Sequence, residues 1–131
     1  MIVDLTDKTE SGWFDLGGGG RLQLRLLDID DLKAMRKACI RTVPEYPKID
    51  GKYQRFEGQE FNGDLWEEML WDRTIMGWES IFDRNEQAIP VTKENKALLM
   101  TRVPEFVRAY EEGMKALKAA DEERAGAAEK N

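Results

Sequence analysis

The chain has 131 residues, 41% of them apolar and 35% charged, which is the length and balance of one globular domain with a single core. Its net charge of −6 argues against a nucleic-acid groove, because binding phosphates requires clustered lysine and arginine side chains. The single cysteine, Cys39, excludes an internal disulfide bond, and the absence of histidine removes the commonest general base and the commonest metal ligand.

The residues that remain do not suggest a catalytic site. Adjacent carboxylates such as Glu67 and Glu68 point in different directions on a helix, so they do not converge on one bond. No candidate site contains both a nucleophile and a group that activates it. We therefore predict a protein that is not an enzyme and has no metal or cofactor site; a hydrolase that uses carboxylates alone is the alternative.

The first ten residues, MIVDLTDKTE, contain early acidic residues and no basic segment before a long apolar run. Signal peptides and membrane spans both require such an apolar run. The pattern predicts a cytoplasmic protein with no membrane partner.

A strand pattern follows over residues 13–27. Trp13 to Leu16 and Arg21 to Leu26 flank a run of four glycines, and the second segment alternates apolar with polar residues. This arrangement predicts a β-hairpin with a glycine turn. A phosphate-binding loop is the weaker alternative, because no Lys-Ser or Lys-Thr pair follows the glycines.

A helix is predicted over about 30–42, where Leu32, Met35 and Cys39 recur at three- and four-residue spacing. Three acidic residues, Asp28, Asp30 and Asp31, lie at its start. Acidic side chains suit a helix N-terminus, and we expect Asp30 to be the cap. A calcium loop is disfavoured because its glycine and terminal glutamate are missing.

The segment from Thr42 to Gly63 is interrupted by prolines and glycines and reads as a long connection. It contains four aromatic residues, Tyr46, Tyr53, Phe56 and Phe61. We expect these rings to pack back on the body of the protein; ordering on a partner is the alternative.

Residues 64–82 form the strongest helical pattern, with two apolar stripes. One stripe contains Trp71, Ile75, Trp78 and Phe82 at spacings of four, three and four. A helix that is apolar on more than one side is normally buried between neighbours, so we expect this one to be the centre of the core.

Two C-terminal helices are predicted, over about 92–101 and 104–120. Thr92 is a good N-cap residue, and Pro104 suits the first turn of the second helix because its missing amide hydrogen has no partner there. After Leu117 the chain is rich in alanine and charge and has no large apolar residue. We predict a flexible, disordered tail over 119–131 and a single globular domain over 1–118.

Together these elements predict a mainly α protein. A small N-terminal β-hairpin is followed by a compact bundle of about four helices and a disordered C-terminal tail. The bundle is expected to be built around the helix from Asp64 to Phe82.

The stretch from Trp78 to Tyr110 resembles the tail assembly chaperones of long-tailed bacteriophages and prophages. In that family a tryptophan-bearing helix is followed by an acidic turn, an Ile-Pro or similar pair, a Thr/Ser-x-Glu-Asn cap, a leucine pair and a proline that opens the last helix. The sequence WESIFDRNEQAIPVTKENKALLMTRVPEFVRAY is similar to this pattern. The N-terminal hairpin and the helix after it extend a weaker resemblance over most of the chain. Where many relatives have a glycine in the turn, this chain has Arg84, Asn85 and Glu86.

The resemblance implies a mostly helical, non-enzymatic chaperone of tail assembly. Such a protein binds the tape measure protein in the host bacterial cytoplasm, keeps it soluble, helps to recruit tail tube subunits and is absent from the mature virion. The alternative is a structural minor tail or head-tail connector protein that is retained in the virion. Oligomeric state is left open, and a homo-oligomer is compatible with the sequence.

The resemblance also implies a longer form, made by programmed translational slippage, that contacts the tail tube protein. The codons of Glu129, Lys130 and Asn131 can spell a slippery heptanucleotide, although an ordinary polar terminus explains these residues equally well.

Two sets of side chains are candidates for contact with the tape measure protein. One is a helical face in the last helix, made of Phe106, Tyr110, Met114 and Leu117. The other is the aromatic connection around Tyr53 and Phe56. Large apolar side chains of this kind anchor protein interfaces, but each is also a normal core residue.

Overall fold

A computed structural model of the chain describes Met1 and residues 10–129. Its helices are α1 (Ile29–Cys39), α2 (Gly63–Thr74), α3 (Lys93–Arg102) and α4 (Pro104–Glu129). Its strands are β1 (Ser11–Gly17), β2 (Gly20–Arg25), β3 (Ile40–Glu45), β4 (Lys48–Ile49), β5 (Lys52–Tyr53), β6 (Phe56–Phe61) and β7 (Ile75–Glu79). Over the described residues the strands form three small antiparallel sheets, β1-β2-β7, β3-β6 and β4-β5.

The prediction of a mainly α protein with one small hairpin is therefore wrong, and so is the mostly helical fold that the resemblance implied. The N-terminal hairpin is present as β1 and β2. However, five further strands occur in segments that were expected to be connection or helix. The result is a mixed fold in which the three-stranded sheet packs with α2, α3 and α4 around one core, while α1 packs against α2.

The expected helix over 64–82 ends early, at Thr74. The amide of Ile75 still bonds to the carbonyl of Trp71, and the chain then becomes the extended strand β7. Ile75 and Gly77 favour this change, because β-branched residues suit a strand and glycine weakens a helix. In β7, Ile75 lies opposite Leu24, and Trp78 lies opposite Leu22.

The core is centred on β2 and α4 rather than on the predicted helix from Asp64 to Phe82. Leu22 and Leu24 on β2 are completely buried, because the alternation of the strand directs both toward α4. Phe106, from α4, meets Trp78 edge to face, with 5.9 Å between the ring centroids. Phe82, assigned to the same apolar stripe as Trp78, is exposed.

Gly113 lets α4 approach the sheet closely. A Cβ atom at this position would lie 2.7 Å from Cδ1 of Leu24 and 2.8 Å from Cδ2 of Phe14. Gly113 therefore sits where the helix backbone lies against the side chains of the sheet.

A buried hydrogen bond joins α4 to the end of α2. The hydroxyl of Thr74 lies 2.6 Å from the carbonyl of Leu70 and 2.9 Å from the hydroxyl of Tyr110. Because the single Thr74 proton goes to the carbonyl, Tyr110 donates to Thr74. Burial raises the pKa of Tyr110, which keeps this donor protonated.

Asp31 ties α1 to both β2 and α2. Its carboxylate accepts hydrogen bonds from Arg25 at 2.7 Å and from Arg73 at 2.8 Å, and also from the backbone amide of Asp28. Asp28, not the expected Asp30, is the N-cap of α1, and with Asp31 it forms a reciprocal capping box. Hydrogen bonding to Arg25, Asp28 and Arg73 lowers the pKa of Asp31 despite its burial.

The starts of the two C-terminal helices are confirmed. The side chain of Thr92 accepts from the amide of Asn95 at 3.1 Å, and α4 begins at Pro104. The disordered tail is wrong for the described residues, since α4 continues to Glu129. Alanine, glutamate, lysine and arginine are strong helix formers, so this composition supports a helix even without a core face. Lys130 and Asn131 lie outside the described residues.

We predict that Asp31→Asn lowers the free energy of unfolding by about 2 kcal/mol at pH 7, because Arg25 and Arg73 lose a charged acceptor. Asp30→Asn, an exposed change one residue earlier, serves as the control. The pKa of Asp31 is lower in the folded state than in the unfolded state. The contribution of its carboxylate to the free energy of unfolding is therefore complete above the unfolded-state pKa of about 4 and declines as the pH falls below it. Urea denaturation should therefore show a smaller penalty at pH 3 than at pH 7, and an unchanged penalty would contradict the ion-pair account.

A second prediction concerns Gly113. Gly113→Ala should lower stability by about 1 kcal/mol, because overpacking against Leu24 and Phe14 outweighs the gain in helix propensity. Gly126→Ala lies in the same helix with nothing within 4 Å of the added Cβ, so it should raise stability slightly. Thermal unfolding followed by circular dichroism compares the two. A stabilising Gly113→Ala would show that the sheet yields to the methyl group.

Candidate functional site

A long β arm projects between α1 and α2. It comprises residues 40–61: β3 follows α1 directly, β6 leads into α2, and the strands pair from Ile40 opposite Phe61 to Glu45 opposite Phe56. The amide of Gln54 bonds to the carbonyl of Pro47 and joins this pair to β4 and β5. At about 3.3 Å per residue, the arm reaches roughly 30 Å from its base.

The tip of the arm is a two-residue turn at Asp50 and Gly51. Their φ angles are 53° and 80°, and two successive positive values are typical of the type I′ turn that suits a hairpin. An Asp-Gly pair between two short apolar or basic segments is a strong hairpin signal in a sequence. The prediction of a long connection is wrong here, because prolines and glycines, which are typical of loops, also occur on edge strands and in tight hairpin turns.

Pro44 is compatible with the arm because each strand of a two-stranded sheet is an edge. A proline on an edge strand can leave its missing amide position toward solvent. The side chain of Glu45 lies over Gly58 on the opposite strand, where a Cβ atom would collide with it. Pro44 and Gly58 are thus parts of the hairpin, although proline and glycine are typical of loops.

The expectation that the aromatic residues of the arm pack on the body is wrong for Tyr46, Tyr53 and Phe56; Phe61, at the base, lies beside Trp66 on α2. Tyr53 is 74% exposed and Phe56 is 46% exposed, and Tyr46 and Phe61 are also exposed. Together with Ile40 and Ile49 they put six large apolar side chains on one projecting element. Isolated exposed apolar residues are common, but a concentration on one projection indicates an interaction surface.

The base of the arm is firmly attached. The amide of Asn62 bonds to the carbonyl of Cys39 at 2.8 Å, where the two strands enter the helices. Arg41 and Glu60 form an ion pair at 2.6 Å across the strands, and the ring of Phe61 lies 5.7 Å from that of Trp66 on α2. The direction of the arm therefore follows the orientation of α1 and α2.

The six candidate contact residues fall in two very different places. Tyr53 and Phe56 lie on the exposed arm. Phe106, Tyr110 and Leu117 are core residues that are 2%, 7% and 5% exposed, and Met114 packs against the same core while partly buried. This face of α4 is covered by the sheet, so in this structure it offers no apolar surface to a partner.

An open cleft of about 660 Å³ lies at the base of the arm. Its charged lining groups include Arg41 and Glu60, which neutralise each other, and Asp64 in the first turn of α2. Cys39 at its edge is a buried free thiol, as expected, and its sulfur lies 3.9 Å from the sulfur of Met69. Among the described residues no group of three or more potential ligands is placed to hold a metal ion.

No helix in the described part of the chain is both long enough and apolar enough to cross a membrane. No family model, no curated protein and no solved structure matches the chain. We therefore infer function from the residues themselves and from the arm, the most exposed apolar element that the structure describes.

We predict that the arm is dispensable for folding. Replacing Pro44 to Glu57 by a short Gly-Ser linker should change the melting temperature by less than about 3 °C, because the removed side chains are exposed. The control is Leu24→Ala, which opens a cavity in the core and should cost about 3 kcal/mol. A loss of stability from the linker replacement comparable with that of the control would show that the arm supports the core.

Proposed function

We propose that this protein is a phage tail assembly chaperone that binds the tape measure protein, keeps it soluble in the host cytoplasm and helps to recruit tail tube subunits. The observation that carries the proposal is the β arm, on which Tyr46, Tyr53 and Phe56 are exposed far from the core. We assign the tape measure contact to this arm. The identity of the partner comes from the resemblance between residues 78–110 and the chaperone family.

The arm is suited to covering the apolar surface of a tape measure protein. A tape measure protein exposes long apolar helical surfaces before the tail tube encloses it, and such surfaces aggregate unless they are covered. Aromatic side chains contribute a large contact area, because rigid rings lose little conformational entropy on binding. Holding a partner in this way requires neither a nucleotide nor a catalytic group.

The rest of the chain supports the same task. A net charge of −6 gives a complex of chaperone and tape measure protein an acidic outer surface that resists self-association. The firmly attached base lets the arm present its side chains without rearrangement of the core, which limits the entropic cost of binding. A longer form made by translational slippage would add the contact with the tail tube protein.

Co-expression tests the proposal. With the tape measure protein of the same phage, the full chain should raise the soluble fraction of that protein and should co-purify with it. The chain with the Gly-Ser replacement of Pro44 to Glu57 should do neither, because it lacks the exposed aromatic residues. Phe82→Ser removes an equally exposed ring from the body and is the matched control.

An unchanged soluble fraction with the full chain would refute the chaperone proposal. Mass spectrometry of purified virions adds a second criterion. An assembly chaperone should be missing from the finished particle, whereas a stoichiometric amount in virions would favour a structural minor tail or head-tail connector protein.

A further inference from the structure

Charge is segregated along the arm. The tip, defined as residues 46–55, carries three cations and one carboxylate, so its net charge is +2. The whole chain carries −6, and the remainder therefore carries −8. The lower part of the arm belongs to the acidic remainder, with three glutamates, Glu45, Glu57 and Glu60, against Arg41. A basic tip thus projects from an acidic protein.

The cations of the tip are not neutralised by their surroundings. Within the described residues, Lys48, Lys52 and Arg55 form no ion pair, and all three are exposed. Arg41 at the base pairs with Glu60 at 2.6 Å. Three free cations at the end of a projection are available to an anionic partner group.

Each face of the tip pairs one cation with one apolar side chain. Lys48 lies opposite Tyr53 on one face, with its ammonium 5.9 Å from the ring centroid, and Ile49 lies opposite Lys52 on the other. Cross-strand neighbours of this kind have Cβ atoms about 5 Å apart. Residues three or four apart on a helix have nearly the same separation, about 5–6 Å.

We propose that the tip of the arm recognises an amphipathic helix in which carboxylates border an apolar stripe. On one face, an apolar residue of the helix contacts Tyr53 and a neighbouring carboxylate contacts Lys48; on the other face, Ile49 and Lys52 offer the same two kinds of contact. Arg55 adds to the positive potential of the tip. The acidic body repels the same carboxylates, so only a helix held at the end of the arm is attracted. The tip therefore determines both where the partner binds and which of its segments is chosen.

A polyanion is a less suitable ligand than an acidic helix. Three cations provide few phosphate contacts, and a net charge of −8 on the remainder opposes a long nucleic acid. An apolar helix without carboxylates would leave the three cations without partners. The combination of cation and apolar group on each face is best matched by a segment that carries both.

This inference rests on the proposed function, because its probes are segments of the tape measure protein. Overlapping synthetic helical peptides of that protein, labelled for fluorescence anisotropy, are titrated with the full chain. Peptides with carboxylates beside an apolar stripe should bind. Replacing their Glu and Asp by Gln and Asn should weaken binding about tenfold, and raising NaCl from about 50 to 300 mM should weaken it as well.

Charge reversal on the protein gives the matched comparison. The triple variant Lys48→Glu, Lys52→Glu, Arg55→Glu should lose at least tenfold in affinity. The control variant Lys33→Glu, Lys115→Glu, Lys118→Glu changes net charge by the same amount at exposed sites on α1 and α4, and should lose less than threefold. Circular dichroism and melting temperature verify that both variants fold.

Four results would overturn the inference: equal binding by the two triple variants, equal binding of acid and amide peptides, no binding of any acidic peptide, or tighter binding of single-stranded RNA than of the peptides. A wild-type oligomer that dissociates on tip reversal would also overturn it, since the tip would then be occupied by a second copy. If the peptide-binding predictions fail while co-expression still solubilises the tape measure protein, the chaperone proposal stands and its binding site lies elsewhere on the protein.

Discussion

The fold depends on one carboxylate that joins three elements. Asp31 is 5% exposed and receives hydrogen bonds from Arg25 on β2, from Arg73 on α2 and from the N-cap of its own helix. An unpaired carboxylate would be costly at this degree of burial, so the three elements must meet for Asp31 to remain charged. Its lowered pKa reflects those hydrogen bonds, and the pKa of Arg25 is raised by the same contact with Asp31.

The Asp31 contact also determines where the arm points. The arm begins where α1 ends and returns where α2 begins, so the orientation of these helices sets its direction. The hydrogen bond from Asn62 to Cys39 closes its base, and the turn at Asp50 and Gly51 closes its tip. An electrostatic contact inside the body thus positions the proposed interaction surface outside it.

The arm has features that oppose edge-to-edge pairing of its strands with another chain. Exposed strand edges with large apolar residues invite pairing between chains, and proteins oppose this with charge and proline. Here Pro44 removes one backbone hydrogen-bond donor from β3, and Arg41 and Glu60 place paired charges near the base. The free cations at the tip repel a second tip. These features let the aromatic residues stay exposed without pairing of strand edges between chains.

Local signals in the sequence were enough for some elements. Thr92 and Pro104 mark the starts of α3 and α4 correctly, because a cap hydroxyl and a missing amide hydrogen act within one turn of a helix. The N-terminal hairpin was also visible, from its alternation and its glycine turn. Of the candidate contact residues, Tyr53 and Phe56 proved exposed, whereas spacing alone could not distinguish the buried face of α4 from an interface.

Composition and helix caps by themselves determined the net charge of the chain, its lack of an internal disulfide bond and the starts of its last two helices, because a cap acts within one turn of a helix. The change from helix to strand at Ile75 was decided by tertiary structure, since β7 satisfies the hydrogen bonds of the second edge of β2. Tertiary structure also decided whether the aromatic side chains of residues 46–61 are buried or exposed. The core contains Leu22, Leu24 and Phe106, and the arm, which leaves the body between α1 and α2, contributes no residue to it.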